Sequence, residues 1–545
     1  MSKPRLSLCV IVRDEETMLP GFLERVAGLW DELVAVDTGS GDGTVALLEA
    51  AGARVVHHPW SDDFAAARNA SLAPATGDWI LFLDADERVT PELVVEIRSL
   101  LGDDRAGAAT VVMRNELPGG HRRESALLRL FRRDPAVRFR HRIHEDVCED
   151  VQAMLARTDR RLVALRGAVD HLGYVQEVAA AREKKERDRR LLRRALDDDP
   201  RDLYSAFKLL ELARFWDDRA LWREAALLAA PRLEAAGGEL ARAPWGGELL
   251  ALAAEGLHDD PRTALAYLRA HARRVRATPP LLLRRAILHE ACRDAAAARA
   301  DFEACLAWNA RDAGVGPVEN GWPDRQQVSV RPRLGLCRLA AADGDLTAAH
   351  VHAEAALAEA PRDREALLAV LAFAGLDGGA AAVLARADEL ARAHGRSDEL
   401  DLACGERLME LGSWREAAAR LRRAAGSPPA GAAALPLAHA LLGGGEAAAA
   451  AQVCGSLLAD QPEAALGLAT CALALGRDVD LQVDLDPDRA AEVLRRFVRT
   501  LWRSRRTDLM ERFADGLPAL LPAFPWLPAF LREETRRLVA GSTRP

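Results

Sequence analysis

The chain has no Cys-x-x-Cys pair, no long apolar run and no excess of positive charge. Its eight cysteines, Cys9, Cys148, Cys292, Cys305, Cys337, Cys404, Cys454 and Cys471, stand singly. No zinc knuckle or thioredoxin-like site is visible in that spacing. Scattered cysteines in a large chain read as reduced and intracellular, and the cytoplasm is the expected location. No stretch approaches the roughly 18–20 uninterrupted apolar residues of a membrane span, and LPALLPAFPWLPAFL near the C-terminus is broken by four prolines. In MSKPRLSLCVIVRDEE the apolar run behind Lys3 and Arg5 stops at Arg13. That is too short for a signal sequence with a cleavage site, and it reads as a first strand. Charged content of 29% excludes a membrane-embedded body. A net charge of -8 weighs against a dedicated nucleic-acid binder. Lysine is scarce beside arginine and alanine runs are long, which reads as coding bias and not as function.

At 545 residues, 49% of them apolar, the chain is long enough for at least two domains with real cores. Its two parts have different periods. LSLCVIV, ELVAVD, ARVVHH and DWILFLD read as strands, with helical MLPGFLERVAGLW and TVALLEAAG between them. Such alternation favours a parallel sheet with helices on its faces, and ligands of such sheets sit at the carboxyl ends of the strands. From about Val175 strand signals vanish, and Ala, Leu and Arg recur at helical spacing. AAHVHAEAALAEAP, closing on Pro361, and REAAARLRRAAGSPP, closing on Pro429, lie 68 residues apart, and AAAAQVCGSLLADQP closes 33 further on at Pro462. LLRRALDDDP closes in the same way on Pro200. The spacing is one or two periods of about 34, typical of tetratricopeptide arrays. Small residues let paired helices approach, and the prolines break the chain between them. VQEVAAAREKKERDRRLLRRAL reads as a charged helix joining the two parts.

In GDWILFLDADERV an apolar run ends on Asp84 and Asp86. Alternate residues of a strand share a face, so two carboxylates at this spacing can converge on one hard cation, Mg²⁺ or Mn²⁺, whose remaining ligands would be phosphate oxygens. The pattern alone is common in surface turns. Its neighbours strengthen it: VAVDTGSGDGT puts Asp37 at a strand end before a Gly-rich turn carrying Ser40, Asp42 and Thr44, and DDFAAARN supplies Arg68.

SLCVIVRDEE, VDTGSGDGT, DDFAAARN and GDWILFLDADE, in this order, make the first 175 or so residues resemble family 2 glycosyltransferases of the GT-A fold. Some members of that subgroup carry C-terminal tetratricopeptide repeats, and the peptide S-glycosyltransferases of bacteriocin pathways are similar. The expected fold is an α/β GT-A domain, Rossmann-like with a mostly parallel sheet, over 1–175, then a linking helix over 176–200 and an all-α solenoid over 201–545. The resemblance implies a nucleotide-sugar donor, with Asp37 accepting a hydrogen bond from its base, most often uracil. Arg13 and Glu15 would line the nucleoside pocket, and Arg68 would pair with donor phosphate or base. Asp84 would face ribose or the metal, and Asp86 would coordinate the metal. The family often has a second acid beside the one at Asp37. Thr38 stands there instead.

A transferase also needs a base for its acceptor. RFRHRIHEDV supplies His144, Glu145 and Asp146 where the subgroup has a His-Glu pair. Glu145 is the expected base and Asp146 the fallback. The plainer reading is a polar strand end with a salt bridge from Arg140 or Arg142. His171, closing the strand-like run at VDHLGY, fits the late histidine that GT-A enzymes use on metal or diphosphate, against the ordinary structural role of a lone His. NELPGG offers a Gly119–Gly120 loop near the acceptor. Trp30, Trp60, Trp79, Trp216 and Trp222 read as packing groups, and His57 and His58 as strand-end residues.

The expectation is a metal-dependent, inverting transfer to one discrete acceptor. Processive polysaccharide synthases of this superfamily carry membrane helices and a Gln-x-x-Arg-Trp motif, which do not appear. The solenoid supports a peptide or protein acceptor by fold-level analogy, and self-association through it is left open. Nucleotidyl transfer would need a Gly-rich loop where VRDEETMLPG stands, and an Asp-x-Asp-x-Thr phosphatase would need Thr in place of Arg88. The alternative from another class is a non-catalytic peptide-binding scaffold with a degenerate transferase head.

Overall fold

The computed structural model describes residues 4–117, 121–172, 178–243, 245–312, 326–458, 461, 463–477, 487–504 and 527–542. Gly119, Gly120 and Pro462 lie outside them, as do 173–177 at the start of the charged linker and most of the proline-rich stretch near the C-terminus.

The N-terminal elements follow the strand–helix alternation of the sequence. They are β1 (Leu6–Val12), α1 (Leu19–Arg25), β2 (Glu32–Asp37), α2 (Thr44–Ala50), β3 (Arg54–His57), α3 (Phe64–Leu72), β4 (Trp79–Asp84), β5 (Glu87–Val89), α4 (Pro91–Leu100), β6 (Ala106–Leu117), β7 (His121–Arg132), α5 (Cys148–Thr158) and β8 (Arg161–His171). One eight-stranded sheet runs β3-β2-β1-β4-β7-β6-β8-β5. β3, β2, β1 and β4 pair in parallel, as do β6 and β8, and β7 and β5 join antiparallel.

The period of two divides each central strand between two cores. Leu6, Leu8, Val10 and Val12 of β1 and Trp79, Leu81 and Leu83 of β4 pack with Phe22 of α1 and Ile97 of α4. Cys9, Ile80 and Phe82 face the other way, onto Ala65 of α3 and Val151 and Met154 of α5. Asp84 continues the Ile80–Phe82 side and therefore meets α3. The parallel register brings Val12 opposite Asp37 and Ile11 opposite Asp84, so both acids stand at the same edge, either side of the end of β1.

Contacts divide the chain into two units, 1–332 and 333–545. The first holds the sheet domain and the start of the helical array: α6 (Val178–Asp198), α7 (Leu203–Phe215), α8 (Arg219–Ala235) and further helices to about residue 312. The array shares its core with the sheet domain, because Ile143 is buried with Leu191, Leu192 and Phe207.

The second unit is helical. Helices starting at Arg364, Asp398 and Ala434 are 34 and 36 residues apart, which is the repeat period of the sequence. Small residues set the helix spacing: a Cβ at Gly405 would fall 2.5 Å from Leu421 Cγ, and one at Gly443 would fall 2.5 Å from the Trp414 ring. The run Arg364–His394 is long and apolar enough to cross a membrane by length and composition alone, but Gly378 and Gly379 leave helical φ/ψ and divide it in two.

Gly167 of β8 lies against α4 so closely that a Cβ would sit 2.4 Å from Leu93 Cα. Both partners are backbone-bound, so neither gives way cheaply. Gly167→Ala should lower unfolding stability by about 1–3 kcal/mol, measured as a lower urea midpoint with unchanged slope.

Candidate functional site

Beyond the ends of β1, β2 and β3 lies a cleft of about 520 Å³ lined by Arg13, Asp37, Thr38, Gly39, His57, His58, Pro59 and Trp60. Its floor is the buried carboxylate of Asp37, 5% exposed. Oδ1 accepts from the Ser40 N–H at 3.0 Å and Oδ2 meets His57 Nδ1 at 3.2 Å. Burial opposes ionisation here, but the hydrogen bonds from Ser40 and His57 prevail and hold the pKa below the ordinary carboxylate range. Thr38 donates its hydroxyl to Val12 O at 3.0 Å, tying β2 to β1. The loops after β1 and β2 are laced together: Gly41 N–H donates to Asp14 Oδ1, Gly43 N–H to Glu16 Oε2 and Glu16 N–H to Asp42 Oδ2.

Arg13 and Asp37 line this cleft, and Glu15 stands outside its lining. Its N–H donates to the buried Thr44 hydroxyl at 2.7 Å. Burial, then the charges of Asp86 and Asp84, raise its pKa to about 7. Glu15 belongs to the acidic group at the end of β4.

At that strand end the period-two argument stops short. β4 ends at Asp84, Ala85 and Asp86 form a turn, and β5 begins at Glu87. The two carboxylates therefore take different partners. Asp84 Oδ1 accepts from Arg68 Nη2 at 2.5 Å, and its Oδ2 lies 3.9 Å from Arg129 Nη2. Asp86 Oδ2 meets His171 Nε2 at 3.1 Å across the β5–β8 pairing. Burial works against a proton on His171, but the hydrogen bond and charge of Asp86 outweigh it and raise the pKa. Two cis ligands of an octahedral cation at about 2.1 Å stand about 3 Å apart, so the Asp86–His171 spacing fits one edge of such an ion. Oxygen with imidazole suits Mn²⁺ better than Mg²⁺. Among the described residues no three His, Cys, Asp or Glu side chains form a ready metal cage. Asp84 is turned to the arginines instead of completing one.

In place of the donor contact expected of Arg68, its guanidinium is buried, 3% exposed, and fully engaged. Besides Asp84, Nε donates to Glu145 Oε1 at 3.1 Å and Nη1 to Leu83 O at 3.4 Å. Phe82 and Phe139 stack on it at 5.4 and 5.8 Å. Burial pushes the Glu145 carboxyl above its ordinary pKa; the Arg68 charge opposes this and the Asp84 charge adds to it. Asp146, the fallback base, points elsewhere. Its Oδ1 accepts from Cys148 N–H at 2.8 Å at the start of α5, and its backbone pairs with Arg140.

The loop carrying Glu145 is strained, with His141 at φ 69° and His144 at φ 55°. Such conformations cost about 1–3 kcal/mol each and persist only where the surroundings impose them. Asp62, in the loop bordering the cleft, is also left-handed at φ 61°.

Sequence reasoning gave no role to Glu87 and read His57, His58 and Trp60 as strand-end and packing residues. Glu87, 1% exposed, pairs with Arg129 Nη2 at 2.5 Å and accepts from Asp84 N–H at 3.0 Å. It closes the GDWILFLDADE motif, which was its available signal. His57, His58 and Trp60 are cleft walls; an HHPW run at the end of a third parallel strand was the available signal.

The sheet is mostly parallel, and the polar cleft and the acidic strand end both lie at its carboxyl edge, where ligands of such sheets bind. Residues 7–158 match the family described as Glycosyl transferase family 2, so the chain carries a domain of that family. A TPR repeat-containing protein of Synechococcus elongatus is 43% identical over 207 residues, 38% of this chain and 51% of that one. The SPbeta prophage-derived glycosyltransferase SunS of Bacillus subtilis is 26% identical over 148 residues, 26% of this chain and 35% of that one. The chain thus spans about half the length of the first relative and about a third of the second. Among solved structures, the mannosyltransferase PcManGT of Pyrobaculum calidifontis, in complex with GDP-Man and Mn2+, is 17% identical at a TM-score of 0.29, covering 50% of this chain and 76% of that one.

Two outcomes follow. Arg68→Met should leave the partly buried carboxylates of Asp84 and Glu145 without their donor and lower stability by about 1–3 kcal/mol, read by chemical denaturation. Glu15 binds its proton more tightly in the folded chain, so stability falls as pH rises from 4.5 towards about 7. Glu15→Gln should match wild type near pH 4.5 and melt higher than it above pH 7 by calorimetry.

Proposed function

We propose that the chain is a metal-dependent, inverting glycosyltransferase. It takes a sugar from a nucleotide sugar, with UDP the expected carrier, and delivers it to one discrete acceptor, a peptide or protein presented by the helical array. The observation that carries this reading is the assembly at one sheet edge of the Asp37 cleft, the Asp86–His171 pair and Glu145.

The geometry supports a division of labour. Asp37 and the cleft take the nucleoside. Asp86 and His171 would hold Mn²⁺ or Mg²⁺, which supplies charge neutralisation for the departing diphosphate. Arg68 fixes one oxygen of Glu145, leaving the other to take the proton from the acceptor's hydroxyl or thiol. The freed oxygen or sulfur bonds to the anomeric carbon from one side. The bond from that carbon to diphosphate breaks on the other, and the nucleoside diphosphate leaves with the electron pair. One in-line displacement inverts the centre. Eight free thiols, seven of them buried, support a reducing, cytoplasmic setting.

Calorimetric titration of UDP with and without Mn²⁺ tests the donor site. Wild type should bind UDP in a Mn²⁺-dependent way and Asp86→Asn should not. Glu145→Gln should keep UDP binding while sugar transfer falls about 10²–10⁴-fold. Full activity in Glu145→Gln would remove it as the base. No nucleotide binding at all would turn the reading to a peptide-binding scaffold with a degenerate head.

A further inference from the structure

We propose that Tyr204, on the second helix of the array, is a positioning residue for Glu145. This rests on the transferase reading above. The loop Arg140–Asp146 is closed by its own backbone bridge, with Arg140 N–H donating to Asp146 O at 2.9 Å. Between those ends its residues divide between two sides. Glu145 turns to Arg68 and the sheet. His141, Ile143 and the His144 carbonyl turn to the helices. The His141 ring stacks on Tyr204 with centroids 3.9 Å apart and planes at 24°. The Tyr204 hydroxyl donates to His144 O at 2.8 Å. Ile143 is 4% exposed inside the helical core.

Tyr204 thus grips the two left-handed residues, one by its ring and one by its hydroxyl. The His144 carbonyl is one peptide from the Glu145 α-carbon, so a shift there carries directly to the carboxylate. Tyr204 is itself braced, 7% exposed, with Trp245 edge-on at 5.7 Å and Lys208 Nζ over its ring at 5.4 Å. The opposite wall of the site is held from the same side. Arg190 donates to Asp62 at 2.6 Å, Asp62 accepts from Trp60 Nε1 at 2.9 Å, and Trp60 lines the cleft. The first helices of the array are therefore part of the mount of the site. Cutting the chain near residue 200 removes Tyr204, so such a deletion cannot separate acceptor binding from chemistry.

The test uses the full chain, with UDP as binding probe and UDP-glucose as substrate, water serving as acceptor. Tyr204→Phe removes only the hydroxyl and Tyr204→Leu removes the stack as well. Tyr204→Phe should lower kcat about 3- to 10-fold, the worth of one hydrogen bond, with KM and UDP affinity within about twofold of wild type. Tyr204→Leu should lose more. Amide exchange should quicken over 140–146 in both variants and stay unchanged in β1 and β4. Unchanged kcat and exchange in Tyr204→Phe would overturn the proposal, as would a raised KM at constant kcat. Failure of wild type to bind UDP would instead overturn the reading of a UDP-sugar donor. Exchange over 140–146 would then decide alone whether Tyr204 holds the loop.

Discussion

The buried guanidinium of Arg68 is the contact on which the site depends. It lies between Asp84 and Glu145, two carboxylates from elements 61 residues apart in sequence, and adds the carbonyl of Leu83. A charge removed from water this completely is tolerable only when each of its donors is met. The requirement acts in both directions. Its charge eases the repulsion between Glu145 and Asp84, and Arg68 could not stay buried without them. A second pair, Arg129 with Glu87, repeats the arrangement one layer along and shares Asp84. The acids at this sheet edge are therefore a linked network, and the identity of any one is fixed by its neighbours.

That network explains what was legible in the sequence. β1 and β2 are readable to the residue because they are paired on both sides and buried on both faces, so Ser7 is the one polar interruption of their apolar runs. The acids at their ends stand out against those runs, and Asp37, Asp84 and Asp86 are found by contrast alone. The helical array is readable as a period because small residues and prolines recur where helices touch and turn. Its division into units was not, because Ile143 and α6 join the array to the sheet domain through contacts that leave no mark in local sequence.

The partners of the acids were less legible, for a physical reason. Asp84 and Asp86 look alike as letters two apart, and on one continuous strand they would point together. Whether β4 runs past Asp84 is decided by β5 pairing with β8, some 80 residues later. Arg68 was visible as a candidate site residue but not as a buried one, because an α3 that reads FAAARNASL exposes its direction only once Phe82 and Phe139 are seen to close over it.

Ile143 has a consequence for the history and engineering of such chains. Head and array look like cassettes, one α/β and one helical, joined by a charged helix. Yet a side chain from the head is a core residue of the array, and a tyrosine of the array holds the head's loop. A chimaera spliced at residue 175 would present Ile143 and the ring of His141 to a foreign surface. Only arrays whose opening helices offer a matching socket are exchangeable, so the two parts are constrained to change together.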